Sequence, residues 1–210
     1  MSELIFFTNP QSRGRIVHWM LEELGEPYQI EWIEYGEQMK SAAYRKLNPM
    51  GKVPAIKHNG SVVTETPAIC TYLALQYPEK KLMPAKNDPQ LAAFVRWMFF
   101  AAAPLEMATT AKSLGWDVAP ERRGMVGFGS YSDVLDALTL AVGQGPYICG
   151  ENFTAVDVYL GSALIWAMQF GTIEKRAVFA EYTARLVSRP AAIRANAINE
   201  QRIASLKAQS

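Results

Sequence analysis

The stretch Asn48-Pro49-Met50-Gly51-Lys52-Val53-Pro54 and, past a short hairpin, Glu65-Thr66-Pro67 bring together residue types suited to holding a peptide. Proline cannot donate to a β-ladder and is confined to strand starts, edges or bulges. A strand opening Val53-Pro54-Ala55-Ile56 therefore predicts an edge whose backbone is free to pair with an extended ligand. Thr66 is a good N-cap type, Pro67 suits the first helical position, and Glu65 places a carboxylate beside that helix start. One small molecule carrying both an ammonium and a carboxylate would be gripped there, by Glu65 and by the N–H groups of the helix end.

A small sheet and its helices must position these residues, and the hydrophobic pattern supplies both. Leu4 to Thr8 reads as a strand, and Ile16, Val17, Met20, Leu21 and Leu24 recur at helical spacing until Gly25 and Pro27 end the helix. Tyr28, Ile30 and Trp32 alternate as a second strand, followed by a polar helical or irregular stretch from Gly36 to Leu47. Asn59-Gly60 is a two-residue hairpin signal between Ala55-Ile56-Lys57 and Val62-Val63-Thr64, and a helix follows from Pro67 to about Tyr77. The order β-α-β-α-β-β-α predicts a mixed sheet whose last pair is antiparallel.

The composition changes at Pro78-Glu79-Lys80-Lys81, and Pro84 to Pro89 reads as a linker. An N-terminal domain of residues 1–80 and an all-helical domain of residues 88–210 follow. The second is predicted to hold helices over roughly 89–113, 121–143, 154–170, 174–188 and 190–206, with a Gly/Pro-rich break from Gly143 to Gly150. Thr154-Ala155-Val156-Asp157 is a variant capping box.

With 210 residues, half of them hydrophobic, the chain has ample material for a core. Its 21 basic and 20 acidic side chains are scattered and leave a net charge of +1, which gives no electrostatic reason to expect nucleic acid or an anionic membrane as partner. The apolar stretch from Trp97 to Leu105 is closed by Arg96 and Glu106 and is too short to span a bilayer, so no membrane partner is expected. The first residues lack a basic leader and an apolar run of signal length, which makes a cytoplasmic location the default. Cys70 and Cys149 lie far apart without neighbouring ligands, so neither a disulfide framework nor a metal is expected.

Four patterns together resemble the soluble glutathione S-transferases: Pro10-Gln11-Ser12-Arg13 through Glu22-Glu23-Leu24-Gly25; Asn48 to Pro54; Glu65-Thr66-Pro67-Ala68-Ile69; and Phe153-Thr154-Ala155-Val156-Asp157. The similarity is greatest to the bacterial and fungal branch whose first helix follows a Pro-x-Ser-Arg turn. It implies an α/β thioredoxin-like N-terminal domain with a mixed four-stranded sheet, an all-α C-terminal bundle and a homodimer. It also implies glutathione as cosubstrate and a role in detoxification. The tyrosine that many members carry at the end of the first strand is absent, with Phe6 and Phe7 there, and Ser12 stands where others carry cysteine.

The resemblance makes Ser12 the hydroxyl that caps the first helix and donates to the glutathione thiolate, with Thr8 and Asn9 as rival donors. Arg13 and Arg15, with Gly14 between them, break the preference for acids in a helix's first turn and read as a site expecting an anion, or as arginines paired elsewhere. Val53 would pair with the cysteinyl unit ahead of a cis Pro54, Glu65 and Thr66 would hold the γ-glutamyl end, and Lys40 and Lys52 the glycyl carboxylate. Each lysine reads equally as an ordinary surface charge, and Asn48 and Pro49 as turn residues. Phe100, Ala103, Pro104 and Met107, with Phe99, form a helical cluster expected to wall an electrophile pocket opposite Ser12; plain core packing explains them as well. Trp116 and Phe128 are further wall candidates, and His18 is expected to be exposed or capped. The activity implied is conjugation of glutathione to small hydrophobic electrophiles or reduction of peroxides. Disulfide reduction and a noncatalytic role on the same fold stand as alternatives.

Overall fold

The computed structural model describes residues 3–208. The chain divides into two compact units, one formed by residues up to Lys80 together with those from Ser188 onward, the other by Lys81–Val187. The first division falls where the composition changes. The last helix, grouped by sequence with the helical domain, packs in the first unit instead.

In the first unit β1 (Leu4–Thr8) leads through α1 (Gly14–Leu24) to β2 (Gln29–Trp32), and α2 (Glu37–Lys40) and α3 (Ala42–Leu47) precede β3 (Ala55–His58). The hairpin to β4 (Ser61–Thr64) turns on Asn59 and Gly60, both at positive φ, which is the reason for that residue pair. After it comes α4 (Thr66–Gln76). The sheet order is β2-β1-β3-β4, with β1 and β2 parallel and the other pairs antiparallel. Phe6, Val17, Met20, Ile56, Ile69 and Leu73 are fully buried where the helices meet the sheet. This is the thioredoxin-like arrangement expected.

The second unit holds α5 (Gln90–Phe100), α6 (Glu106–Leu114), α7 (Tyr131–Gly143), α8 (Ala155–Gln169) and α9 (Ala177–Val187). A π-helical turn, Ala101–Leu105, joins α5 to α6 around Pro104, which lacks the N–H that a regular turn would use. Within the continuous run Gln90–Leu114 a window of 18 residues reaches a mean hydropathy of 1.4, so this run is long and apolar enough to cross a membrane by length and composition alone. The sequence reading counted only Trp97 to Leu105, a shorter part of this run. The helix expected over 121–143 is also divided: a 3₁₀ turn, Pro120–Met125, is followed by a loop, and α7 starts after Ser130, whose hydroxyl accepts the Asp133 N–H at 3.2 Å. Gly127 and the positive φ of Gly129 break the helix between them. The final helix, α10 (Pro190–Lys207), lies along α1.

Candidate active site

The strand register gathers the candidate residues at one end of the sheet. Ala55 at the start of β3 faces Phe7 near the end of β1 on one side and Thr64 at the end of β4 on the other. The turn after β1, the loop before β3 and the start of α4 therefore meet there. Because β3 is an interior strand, the free backbone is not a sheet edge as the sequence predicted; it is the point where an interior strand begins beyond its neighbours. Val53 stands at that point ahead of a cis peptide bond to Pro54. Its side chain packs against Ile33, Met39 and Tyr44, and among the described residues no backbone group pairs with its N–H or C=O.

Several hydrogen bonds hold the turn after β1. Asn9, 8% exposed, donates to the Ile33 carbonyl at 2.9 Å and accepts from the Gln11 N–H at 3.0 Å, so it ties the turn to the end of β2. Ser12 Oγ accepts the Gly14 N–H at 2.9 Å and donates to the Asn9 carbonyl at 2.8 Å. Thr8 is 0% exposed. A Cβ on Gly14 would stand 1.9 Å from Thr8 Oγ1, which explains the glycine: it admits the threonine hydroxyl, not an anion. Among Ser12, Thr8 and Asn9, Ser12 alone is more than marginally accessible.

The loop before β3 holds its own shape. The Asn48 amide and the Tyr44 hydroxyl both donate to the Lys52 carbonyl, at 2.7 and 2.9 Å, and Asn48 Oδ1 accepts from Met50 N–H. Burial pushes the Tyr44 hydroxyl up to about 12, so it stays a donor. Lys40 Nζ donates to the carbonyls of Met50 and Gly51 at 3.1 and 2.7 Å, which sets an ammonium beside the loop, and Lys52 is exposed on it.

At the start of α4 the cap differs from the sequence reading. Glu65 occupies the N-cap position and Thr66, 5% exposed, is the first helical residue. Glu65 is exposed at φ 67 and ψ 117, a conformation that L side chains avoid, and its side chain makes no capping bond. The first N–H groups of α4 thus stand beside an outward carboxylate, an arrangement that suits an amino acid's ammonium and carboxylate together.

Two further residues depart from expectation. Arg15 is paired with α10, at 2.7 Å from Glu200, in line with the pairing alternative rather than anion binding. His18 is 0% exposed, neither exposed nor a cap. Tyr28 donates to Glu22 at 2.6 Å and so accepts from His18 Nε2 at 2.9 Å, while His18 Nδ1 accepts from the Asn199 amide at 3.0 Å. Burial lowers the proton affinity of this imidazole. The partner that buries it lies 181 residues along the chain, beyond any local signal.

A model of the glutathione S-transferase N-terminal domain matches residues 12–76. The chain is 31% identical over 163 residues to glutathione S-transferase 3 of Schizosaccharomyces pombe, covering 70% of this chain and 66% of that one. Over 188 residues it is 26% identical to glutathione S-transferase GstA of Escherichia coli O157:H7, covering 88% and 92% of the two. Among solved structures, a glutathione transferase from Methylococcus capsulatus strain Bath superimposes with a TM-score of 0.76 at 25% identity, over 94% of this chain and 99% of that one. The chain belongs to the glutathione S-transferase family of enzymes.

Both of the protein's own thiols are buried and free. Cys70 is fully buried, and burial raises its thiol to about 12; Cys149 is raised to about 11 for the same reason. In the helical unit Phe100 is half-buried, Ala103 and Met107 are exposed and Pro104 sits in the π-helical turn. A cavity of about 420 Å³ lies farther along α6, lined by Trp116, Phe128, Tyr131, Lys112 and Arg123 among others. It unites the two further wall candidates, but Phe100, Ala103, Pro104 and Met107 are not among its lining residues.

Proposed function

We propose that the protein is a glutathione transferase of the bacterial and fungal kind that conjugates the glutathione thiolate to small hydrophobic electrophiles. Peroxide reduction would use the same sulfur. The observation that carries this reading is the unpaired Val53 backbone between the Ser12 turn and the Glu65–Thr66 helix start. The cysteinyl unit pairs with Val53, Glu65 and Thr66 take the γ-glutamyl ammonium and carboxylate, and Lys40 and Lys52 draw the glycyl carboxylate.

The sulfur then comes to Ser12 at the start of α1. Binding asks the Ser12 hydroxyl to turn from the Asn9 carbonyl to the thiolate. That exchange is favourable, because a bond to a charged group contributes about 1.5–3 kcal/mol against about 1 kcal/mol for a neutral one. Lowering the thiol pKa from about 8.5 to about 6.5 raises the thiolate fraction roughly 25-fold at neutral pH. With a Brønsted coefficient of about 0.4–0.5 the weaker base gives back about 6–10-fold, so positioning of the electrophile supplies much of the rest. Phe100, Ala103, Pro104 and Met107 form the electrophile wall, and the working enzyme is a cytoplasmic homodimer.

Calorimetry with glutathione, followed by assay of a chloronitroaromatic, an organic hydroperoxide and a small disulfide on one preparation, tests this. Binding with conjugation as the dominant activity is expected. No binding would contradict the reading, and turnover of the disulfide alone would replace it with a reductase.

A further inference from the structure

We propose that α10 positions the turn that carries Ser12, with Arg15 as the connecting side chain and Asn196 and Glu200 as its positioning partners. The inference rests on the reading of Ser12 as the thiolate donor. Arg15 stands in the first turn of α1, next to Gly14, and its N–H donates to the Ser12 carbonyl at 3.1 Å. Its guanidinium reaches two ways. Nη1 points to the Pro10 carbonyl at a long 3.4 Å, inside the turn itself, while Nη2 donates to Glu200 at 2.7 Å and to Asn196.

A cation in the first turn of a helix opposes the helix dipole, and here the compensating carboxylate comes from another helix. The contact is the first of a seam. His18 meets Asn199, Glu22 takes Arg194 at 2.8 Å, and Glu23 takes Arg189 in a two-bond fork at 2.7 and 2.8 Å. Arg15, His18 and Glu22 lie on one face of α1, and Asn196, Asn199 and Glu200 on one face of α10. The helices run antiparallel, since residues rising along α1 meet residues falling along α10. Rolling or sliding α1 would break several of these bonds and strand the buried His18–Asn199 pair.

Thiolate activation needs that fixity. Ser12 must redirect one hydroxyl to a sulfur placed independently by Val53 and Glu65, and a misplacement of about 1 Å can cost on the order of a hundredfold in rate. The seam holds the helix on which Ser12 depends, and Arg15 is its member nearest the turn.

Arg15→Lys tests the claim, because it keeps the charge but cannot form the guanidinium fork. In the full-length protein the expected result is a fall in kcat on the order of tenfold with KM for glutathione within about twofold. The pKa of bound glutathione, read from thiolate absorbance in the ultraviolet, should rise with it. A lowered unfolding midpoint with unchanged kcat and unchanged thiol pKa would reduce Arg15 to a structural role and overturn the proposal. If the lysine variant fails to fold, Asn196→Ala, at an exposed position, should show the same changes to a smaller extent, and parent-like values would count equally against the proposal. A parent protein that binds glutathione only as the neutral thiol would sink the Ser12 reading and this inference together. A parent and variant that titrate identically would sink this inference alone.

Discussion

The starts of α4 and α8 were built from similar residues and finished differently. At α8 the buried carboxylate of Asp157 accepts the Thr154 N–H and the Ile148 N–H, each at 2.9 Å, and the Tyr182 hydroxyl at 2.8 Å. Burial raises its proton affinity in spite of these bonds. At α4 the threonine is followed by proline, the cap is a glutamate at positive φ, and the carboxylate points outward without a capping bond. A helix start that satisfies itself stabilises the fold, whereas the one left open under backbone strain is the end we propose for the ligand.

The sharpest test of that contrast is Asp157→Ala. It leaves two N–H groups and a tyrosine hydroxyl without their acceptor and should cost about 3–5 kcal/mol in urea unfolding, with activity per folded molecule intact. A loss under about 1 kcal/mol would break the comparison.

Glu65→Ala should do the reverse, weakening glutathione binding by about 1.5–3 kcal/mol in calorimetry without lowering stability. Glu65→Gly sharpens this further, since relief of the positive φ should stabilise the fold by about 1 kcal/mol while binding still falls. An unchanged dissociation constant would remove Glu65 from the site.

The start of α1 lies between the two cases. Its serine is hydrogen bonded in the free protein yet accessible enough to turn to a ligand. Ser12→Ala should cost about 1 kcal/mol of stability through the lost bond to Gly14 N–H, and turnover should fall by more than that loss explains. Unchanged turnover would move the role to Thr8, Asn9 or backbone donors.

The smallest effect expected is in the pH dependence of stability. His18 binds its proton less readily folded than unfolded, so as pH falls below its ordinary value of 6.5 the unfolded chain is protonated first and stability drops. The decline should level off once the folded pKa is passed. Urea midpoints from about pH 8 to about pH 5 should show it, and His18→Gln should flatten that part of the curve. A parent curve already flat there would mean that His18 is not held neutral.

Local rules made much of this visible in the sequence. The capping box at Thr154, the hairpin at Asn59-Gly60 and the proline at Val53-Pro54 each depend on neighbours within a few residues. Ser130 and Asp133 carry the same spacing as Thr154 and Asp157, and that signal marks the true start of α7 inside the longer helix the periodicity suggested. What the sequence hid was set by distant partners. That β3 is interior follows from strand order, the burial of His18 from the docking of α10, and the need for Gly14 from the hydroxyl of Thr8.

The central claim is that a tripeptide pairs with Val53 and aims its sulfur at Ser12. A crystal structure with glutathione bound tests it most directly. The account predicts backbone bonds from the cysteinyl unit to Val53 and a sulfur within hydrogen-bonding distance of Ser12 Oγ. A tripeptide held away from Val53, or a sulfur nearer another donor, would contradict it.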